Sequence, residues 1–197
     1  MKKELISILE ISQLELTDRD ILENVNSNYI NYLIELSKSG RRNSFMELCK
    51  LNIDMVYPMV LRLAADLILA RQLTIDIFIS AWDNLKHHRA DVPFHEWLKG
   101  ITVYMTLEEL RTKERKKKID KLLKEKGEKI KPKQPGSKNK LESMIFNLEQ
   151  SRRVIVVLHD MEGYSCQEIS DFLGETSCKK INESLKVTRR ELMAKMK

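Results

Sequence analysis

Leu158-His-Asp-Met-Glu-Gly-Tyr-Ser-Cys-Gln-Glu-Ile-Ser-Asp-Phe-Leu-Gly174, followed from Cys178 by a run rich in Lys and Arg, is the stretch that decides the fold. Ser165 and Glu168 stand three residues apart, the spacing of a capping box in which the serine accepts from the backbone and the glutamate folds back, so a helix starts there. Gly163 and Gly174 punctuate its two ends as turn residues. Beyond Gly174, Ile181 and Leu185 repeat at helical spacing, and with Ile169, Phe172 and Leu173 they hold two helices at a fixed angle. A short helix, a glycine-containing turn and a basic second helix make the helix-turn-helix pattern, whose last helix enters the major groove of DNA. Lys179, Lys180, Asn182, Lys186, Arg189 and Arg190 on that helix are the candidates for phosphate and base contacts, Asn and Arg being able to bond base edges bidentately. The plainer alternative is a three-helix bundle ending in a solvated helix.

Working outward, residues 148–161 predict the helix that precedes this pair. They include Val154-Ile-Val-Val-Leu158, an apolar run that periodicity alone cannot separate from a strand. Residues 119–140 are rich in Lys and carry Lys-Pro-Lys-Gln-Pro-Gly-Ser; this composition cannot build a core and reads as a flexible tether. Residues 111–140 hold 14 basic and 4 acidic side chains, a cationic band that suits a partner carrying phosphates or, more plainly, a solvated linker. Upstream, residues 28–118 read as one helical domain. A helix from Tyr29 to Ser39 ends at Gly40, and Ser44-Phe-Met-Glu47 has capping-box spacing that predicts the next helix start. Apolar faces then recur along 45–60 and 67–82. Lys86-His-His-Arg-Ala-Asp-Val-Pro93 breaks the pattern as a loop, and a helix from Phe94 to about Arg115 turns basic at its end. Residues 1–27, with Leu5, Ile6, Ile8, Leu9, Ile11 and Leu14 at helical spacing, read as an N-terminal helical extension.

The expected fold class is therefore all-α: two helical domains, 28–118 and 141–197, joined by the basic linker 119–140. Composition agrees, with only 6 Gly and 4 Pro in 197 residues and 42% hydrophobic content, enough for real cores. The formal net charge is +6. Cys49, Cys166 and Cys178 are odd in number and contain no CxxC, which argues against a disulfide framework or zinc finger and for a reducing cytoplasm. No run approaches the ~20 apolar residues of a membrane span, and no secretory cleavage site follows the N-terminus, so membrane insertion is not expected. His87, His88, Asp91, His95 and Glu96 raise the thought of a metal enzyme, but their spacing fits no ligand pattern such as HExxH. Cys166 has no implied neighbouring base that would make it a nucleophile. No catalytic residue, metal or cofactor is expected.

In these residues the chain resembles the extracytoplasmic-function group of bacterial RNA polymerase sigma factors over about 28–197. Gly40, Phe45, Leu48 and Tyr57 are similar to that family's opening helices, and Leu69-Ala-Arg-Gln-Leu-Thr-Ile-Asp-Ile-Phe-Ile-Ser-Ala-Trp82 to the helix with which it grips the polymerase clamp. Phe94-His-Glu-Trp-Leu98 and Arg111 resemble its strand-opening helix. Leu148, Arg153, Leu158 to Gly163, Ser165, Glu168-Ile169, Leu173-Gly174 and Arg189-Arg190 resemble the helix-turn-helix that reads its upstream promoter element. The resemblance implies core RNA polymerase and promoter DNA as partners, with an anti-sigma factor as a further one. It implies polymerase contacts at Gln72, Leu73, Asp76 and Phe78. It also implies promoter-opening contacts at His87, His88 and Arg89 in the loop and at Tyr104, Arg111 and Lys113 on the helix after it; Trp97 reads as core. Arg71, Gln72 and Ile75 stand where the family usually shows two acids and a glutamine. That departure sets a second reading beside the first, a sigma-like interaction protein that binds a regulator and has little promoter activity.

Overall fold

The computed structural model describes the backbone of residues 16–123, 139–174 and 177–196, with side chains from 27 to 115 in the first of these. The N-terminal residues 1–15 and most of the basic linker, 124–138, lie outside the described residues. Eight α-helices carry the described chain: α1 (Leu16–Lys38), α2 (Arg42–Ala64), α3 (Leu67–Asn84), α4 (Phe94–Leu123), α5 (Lys140–Phe146), α6 (Gln150–Val156), α7 (Cys166–Leu173) and α8 (Cys178–Met196). A 3-10 turn, Leu85–His87, follows α3, and a π-turn, Val157–Met161, prolongs α6. Among the described residues there is no strand, and no helix is long and apolar enough to cross a membrane.

The helix ends follow from local chemistry. At the end of α1, Gly40 takes φ +92°, a left-handed conformation that costs glycine least. Its N–H bonds the Ser37 carbonyl at 2.9 Å and the Arg41 N–H reaches the Leu36 carbonyl at 3.1 Å, the paired bonds of a Schellman end. One extended residue, Arg41, follows this turn, and α2 then starts at Arg42 with no side-chain cap, two residues before the capping box expected at Ser44. Asp66 caps α3, its Oδ1 accepting from the N–H groups of Ile68 and Leu69 at 3.0 and 3.2 Å. At α7 the expected capping box is present: Ser165 Oγ accepts from the Glu168 N–H at 3.2 Å, and Glu168 Oε2 accepts from the Ser165 N–H at 2.8 Å. Ser165's hydroxyl and N–H hold the Glu168 carboxyl below its usual value. Ser165→Ala removes one of these reciprocal bonds and is expected to cost about 1 kcal/mol, read as a lower urea midpoint at unchanged slope.

α2 is the central strut, packing against α1, α3 and α4 on its flanks and against α5, α6 and the π-turn at its C-terminal end. Leu48, Val56, Val60 and Leu63 of α2, Ala70 and Ile77 of α3, and Leu98 and Val103 of α4 are fully or almost fully buried. Their cluster continues without a break into Ile145, Val154 to Leu158, Ile169, Ile181 and Leu185. Every residue from Arg153 to Leu158 is buried, and this explains the ambiguous apolar run: a helix enclosed on all sides has no polar face to set a period.

Candidate nucleic-acid interface

α7 and α8 cross against the end of α6. The buried residues of α8, Ile181, Leu185, Thr188 and Leu192, recur every three or four positions and form one stripe facing the core. That leaves Lys179, Lys180, Asn182, Lys186, Arg189 and Arg190 exposed, so all six candidate DNA contacts on this helix share its solvent side. Arg189 is not idle: its Nε donates to Asp160 Oδ2 at 2.9 Å and its Nη2 to Asp160 Oδ1, while His159 Nδ1 bonds the same carboxylate at 2.8 Å. Arg189, with His159 behind it, holds the Asp160 carboxyl below its ordinary range. Asn182 Oδ1 accepts from the Cys166 thiol at 3.2 Å. The other four candidates, Lys179, Lys180, Lys186 and Arg190, are all cations, and together they make an open face that is positive on balance, with the exposed Glu183 standing among them.

The second group of candidates lies in the turn and loop between α3 and α4 and along α4 itself. His87 and Arg89 are exposed, with Arg89 forking onto Asp91 through Nε and Nη2 at 3.0 and 2.6 Å. His88 is 5% exposed and faces inward. Its ring lies edge-on to Phe94 and Trp97, with centroids 5.8 and 5.2 Å away. Nε2 bonds the Val92 carbonyl at 2.9 Å; a carbonyl only accepts, so Nε2 carries the proton and Nδ1 is left without a partner. Burial lowers the His88 pKa from its ordinary 6.5, ahead of the opposing Val92 bond. The unfolded chain therefore takes up the proton first as pH falls. The stability this contributes is complete above 6.5 and is lost as pH drops from 6.5 through the lower folded value. Replacing His88 by phenylalanine should flatten that part of a plot of stability against pH.

Along α4, Tyr104 is exposed while Arg111 and Lys113 are half-buried. Arg111 is engaged within the protein: it donates to Glu108 on its own helix and to the Phe172 carbonyl at the end of α7. Lys113 Nζ lies 3.9 Å from Asp66. Between α4 and α7 an open cleft of about 650 Å³ is lined by Tyr104, Leu107, Arg111, Arg115, Asp171 and Phe172 among others. On α3, Gln72 is exposed, Asp76 and Phe78 are half-buried, and Leu73 faces the core. The outer side of that helix carries Ile68, Ile75 and Ile79, all more than half exposed. Their spacing of seven and four is a helical signal present in the sequence, masked there by the polar candidates between them.

What sequence reasoning missed is how the two halves are joined. The Arg153 guanidinium is buried, and it donates to the Leu63 carbonyl through Nε at 3.1 Å, to Ala64 through Nη2 at 3.3 Å and to Leu148 through Nη1 at 2.8 Å. Leu63 and Ala64 close α2, so Arg153 satisfies carbonyls that a helix end leaves without partners, at the negative end of its dipole. Lys99 of α4 donates to the Glu162 carbonyl at 2.7 Å and lies 5.1 Å from the centre of the Tyr164 ring, and burial pushes the Tyr164 hydroxyl up to about 12. Arg62 and Glu142 make a further ion pair across the same boundary at 3.5 Å. Among the described residues no cluster of His, Cys, Asp and Glu could hold a metal ion.

No protein-family model and no curated protein matches the chain. Solved structures do. CnrH, in complex with the cytosolic domain of CnrY, is 17% identical with a TM-score of 0.50, over 85% of this chain and 97% of CnrH. The sigma factor RpoE, in co-crystal with the anti-sigma factor NepR from Bartonella quintana, is 18% identical with a TM-score of 0.53, over 76% of this chain and 94% of that one. Helix order, the helix-turn-helix at the C-terminus and these two likenesses agree: the chain has the fold of the extracytoplasmic-function sigma factors.

Proposed function

We propose that this protein is a sigma factor that directs bacterial RNA polymerase to specific promoters, acting in the cytoplasm by binding rather than by covalent catalysis. The observation that carries the reading is the exposed face of α8, where Lys179, Lys180, Asn182, Lys186 and Arg190 stand together above a buried stripe on a fold like that of the sigma factor RpoE. In this reading residues 28–118 bind core polymerase and open the promoter, 119–140 tether the halves, 141–197 read the upstream element, and 1–27 are an accessory extension. Gln72, Asp76 and Phe78 face polymerase with Leu73 setting the helix from behind. Tyr104, His87 and Arg89 meet the opened strand, with Arg111 and Lys113 joining them once they leave their present partners, and His88 shapes the loop from within.

A second reading is favoured by two observations. Arg111 and Arg189 are both committed to protein partners, and the halves share a core, an arrangement suited to a sigma-like protein held by a regulator such as an anti-sigma factor. The deciding experiment is binding of the purified chain to core RNA polymerase in competition with a housekeeping sigma factor, with run-off transcription on genomic fragments in the same samples. Binding with transcripts supports the first reading; absence of binding to core transfers the assignment to the second.

A further inference from the structure

The buried stripe of α8, Ile181, Leu185, Thr188 and Leu192, advances in steps of four, three and four residues. Lys179, Glu183, Lys186 and Arg190 advance in the same steps, displaced by two residues, and two residues are about 200° around a helix. These four side chains, all exposed, therefore form the line of α8 furthest from the core. Three are cations and the second is an acid. Among the described residues Glu183 has neither a hydrogen bond nor an ion pair, although Lys179 and Lys186 stand one turn away on either side of it. α8 begins at Cys178, so Glu183 lies in its second turn, the part of a recognition helix whose side chains reach base edges.

We propose that Glu183 is a specificity-determining residue, accepting a hydrogen bond from the amino group of one cytosine in the major groove; this rests on α8 being the DNA-reading helix, as given above. An acid turned toward a duplex is repelled by every phosphate it approaches. On this outermost line, only a donor on a base edge offsets that repulsion. Guanine presents the acceptors O6 and N7 to the major groove, and thymine presents O4 and a methyl group, so neither offers the carboxylate a partner. Adenine offers its N6 amino group beside N7, an acceptor that repels the second carboxylate oxygen. Cytosine offers its N4 amino group with no acceptor of its own beside it, and is the base the acid fits. Lys179 and Lys186, one turn to each side, supply the attraction to phosphate that keeps the acid at the groove. The cations thus set how strongly α8 binds, and Glu183 sets where.

The test selects duplexes from a randomised library with the full chain, alone and on core RNA polymerase, for the wild type, E183Q and E183A. The wild type is expected to select cytosine at one position, where any other base weakens binding about tenfold, the lower part of the range for one base contact. E183Q should move the preference at that position to adenine, whose N6 and N7 an amide bonds bidentately. E183A should accept any base there, and should bind a duplex of mixed sequence more tightly than the wild type because the repulsion from phosphate is gone. The other selected positions stay as they are, and far-UV circular dichroism and the thermal midpoint do not change, since an exposed side chain without a partner has no contact to lose. The proposal is overturned if all three proteins select the same sequence, even with E183A binding every duplex more tightly; Glu183 is then a solvated acid with a general repulsion only. If neither the chain nor its complex with polymerase selects any sequence, the assignment of α8 as the DNA-reading helix falls and takes the proposal with it.

Discussion

Arg153→Met will lower folding stability by about 3 kcal/mol or more, seen as a shift of the denaturant midpoint with the transition still cooperative. Methionine fills much of the volume and adapts its shape, so the loss reports hydrogen bonds rather than a cavity. Carbonyls on Leu63, Ala64 and Phe146, all buried, and the half-buried one on Leu148 lose their donor together, and an unsatisfied buried acceptor costs about 1–3 kcal/mol. Burial pulls the Arg153 pKa below its ordinary value, with the charge of Glu149 opposing, but a guanidinium keeps its proton in proteins. Lysine is a poor substitute: a single ammonium cannot span carbonyls on both sides of the boundary as the planar fork does. A midpoint within error of the wild type in R153M would show that the two halves do not depend on this contact.

The second large effect is on function. Reversing Lys179, Lys180 and Lys186 to glutamate together should weaken binding to duplex DNA by about 100-fold or more, and flatten the log-log salt dependence by about three units, one for each lysine–phosphate pair removed. All three side chains are exposed on the side of α8 opposite its buried stripe, so the variant should keep its helical signal and thermal midpoint. An unchanged salt slope would place the DNA contact away from α8 and weaken the sigma-factor assignment at its base.

Which parts of this were legible in the sequence depends on how far apart the interacting residues lie. The α7 start was readable because Ser165 and Glu168 are three residues apart, and α8 because one polar face alternates with one apolar stripe. Residues 154–158 were ambiguous because burial on every side erases the period. The Ser44 start failed for a different reason: the left-handed turn at Gly40 delivers the chain into a helix before Ser44 is reached, so a local cap was outvoted by the preceding turn. The tie of Arg189 to Asp160 spans 29 residues and that of Arg153 to Leu63 spans 90; no periodicity or motif carries such a pairing. Exposure was likewise beyond reach for Leu73 and His88, which the resemblance set among contact surfaces while packing turned them inward.

The reach of Arg153 also has a meaning in time. A chain emerges from the ribosome N-terminal end first, at about 5–20 residues per second, so the end of α2 is made well before the residue 90 positions later that bonds its last carbonyls. For several seconds of synthesis α1 to α4 exist with that helix end uncapped and with the apolar surface that will meet Ile145 and Val154 to Leu158 still open to the cell. The first half is thus finished only when the second arrives, bringing the donor for its last carbonyls and the side chains that cover its apolar surface.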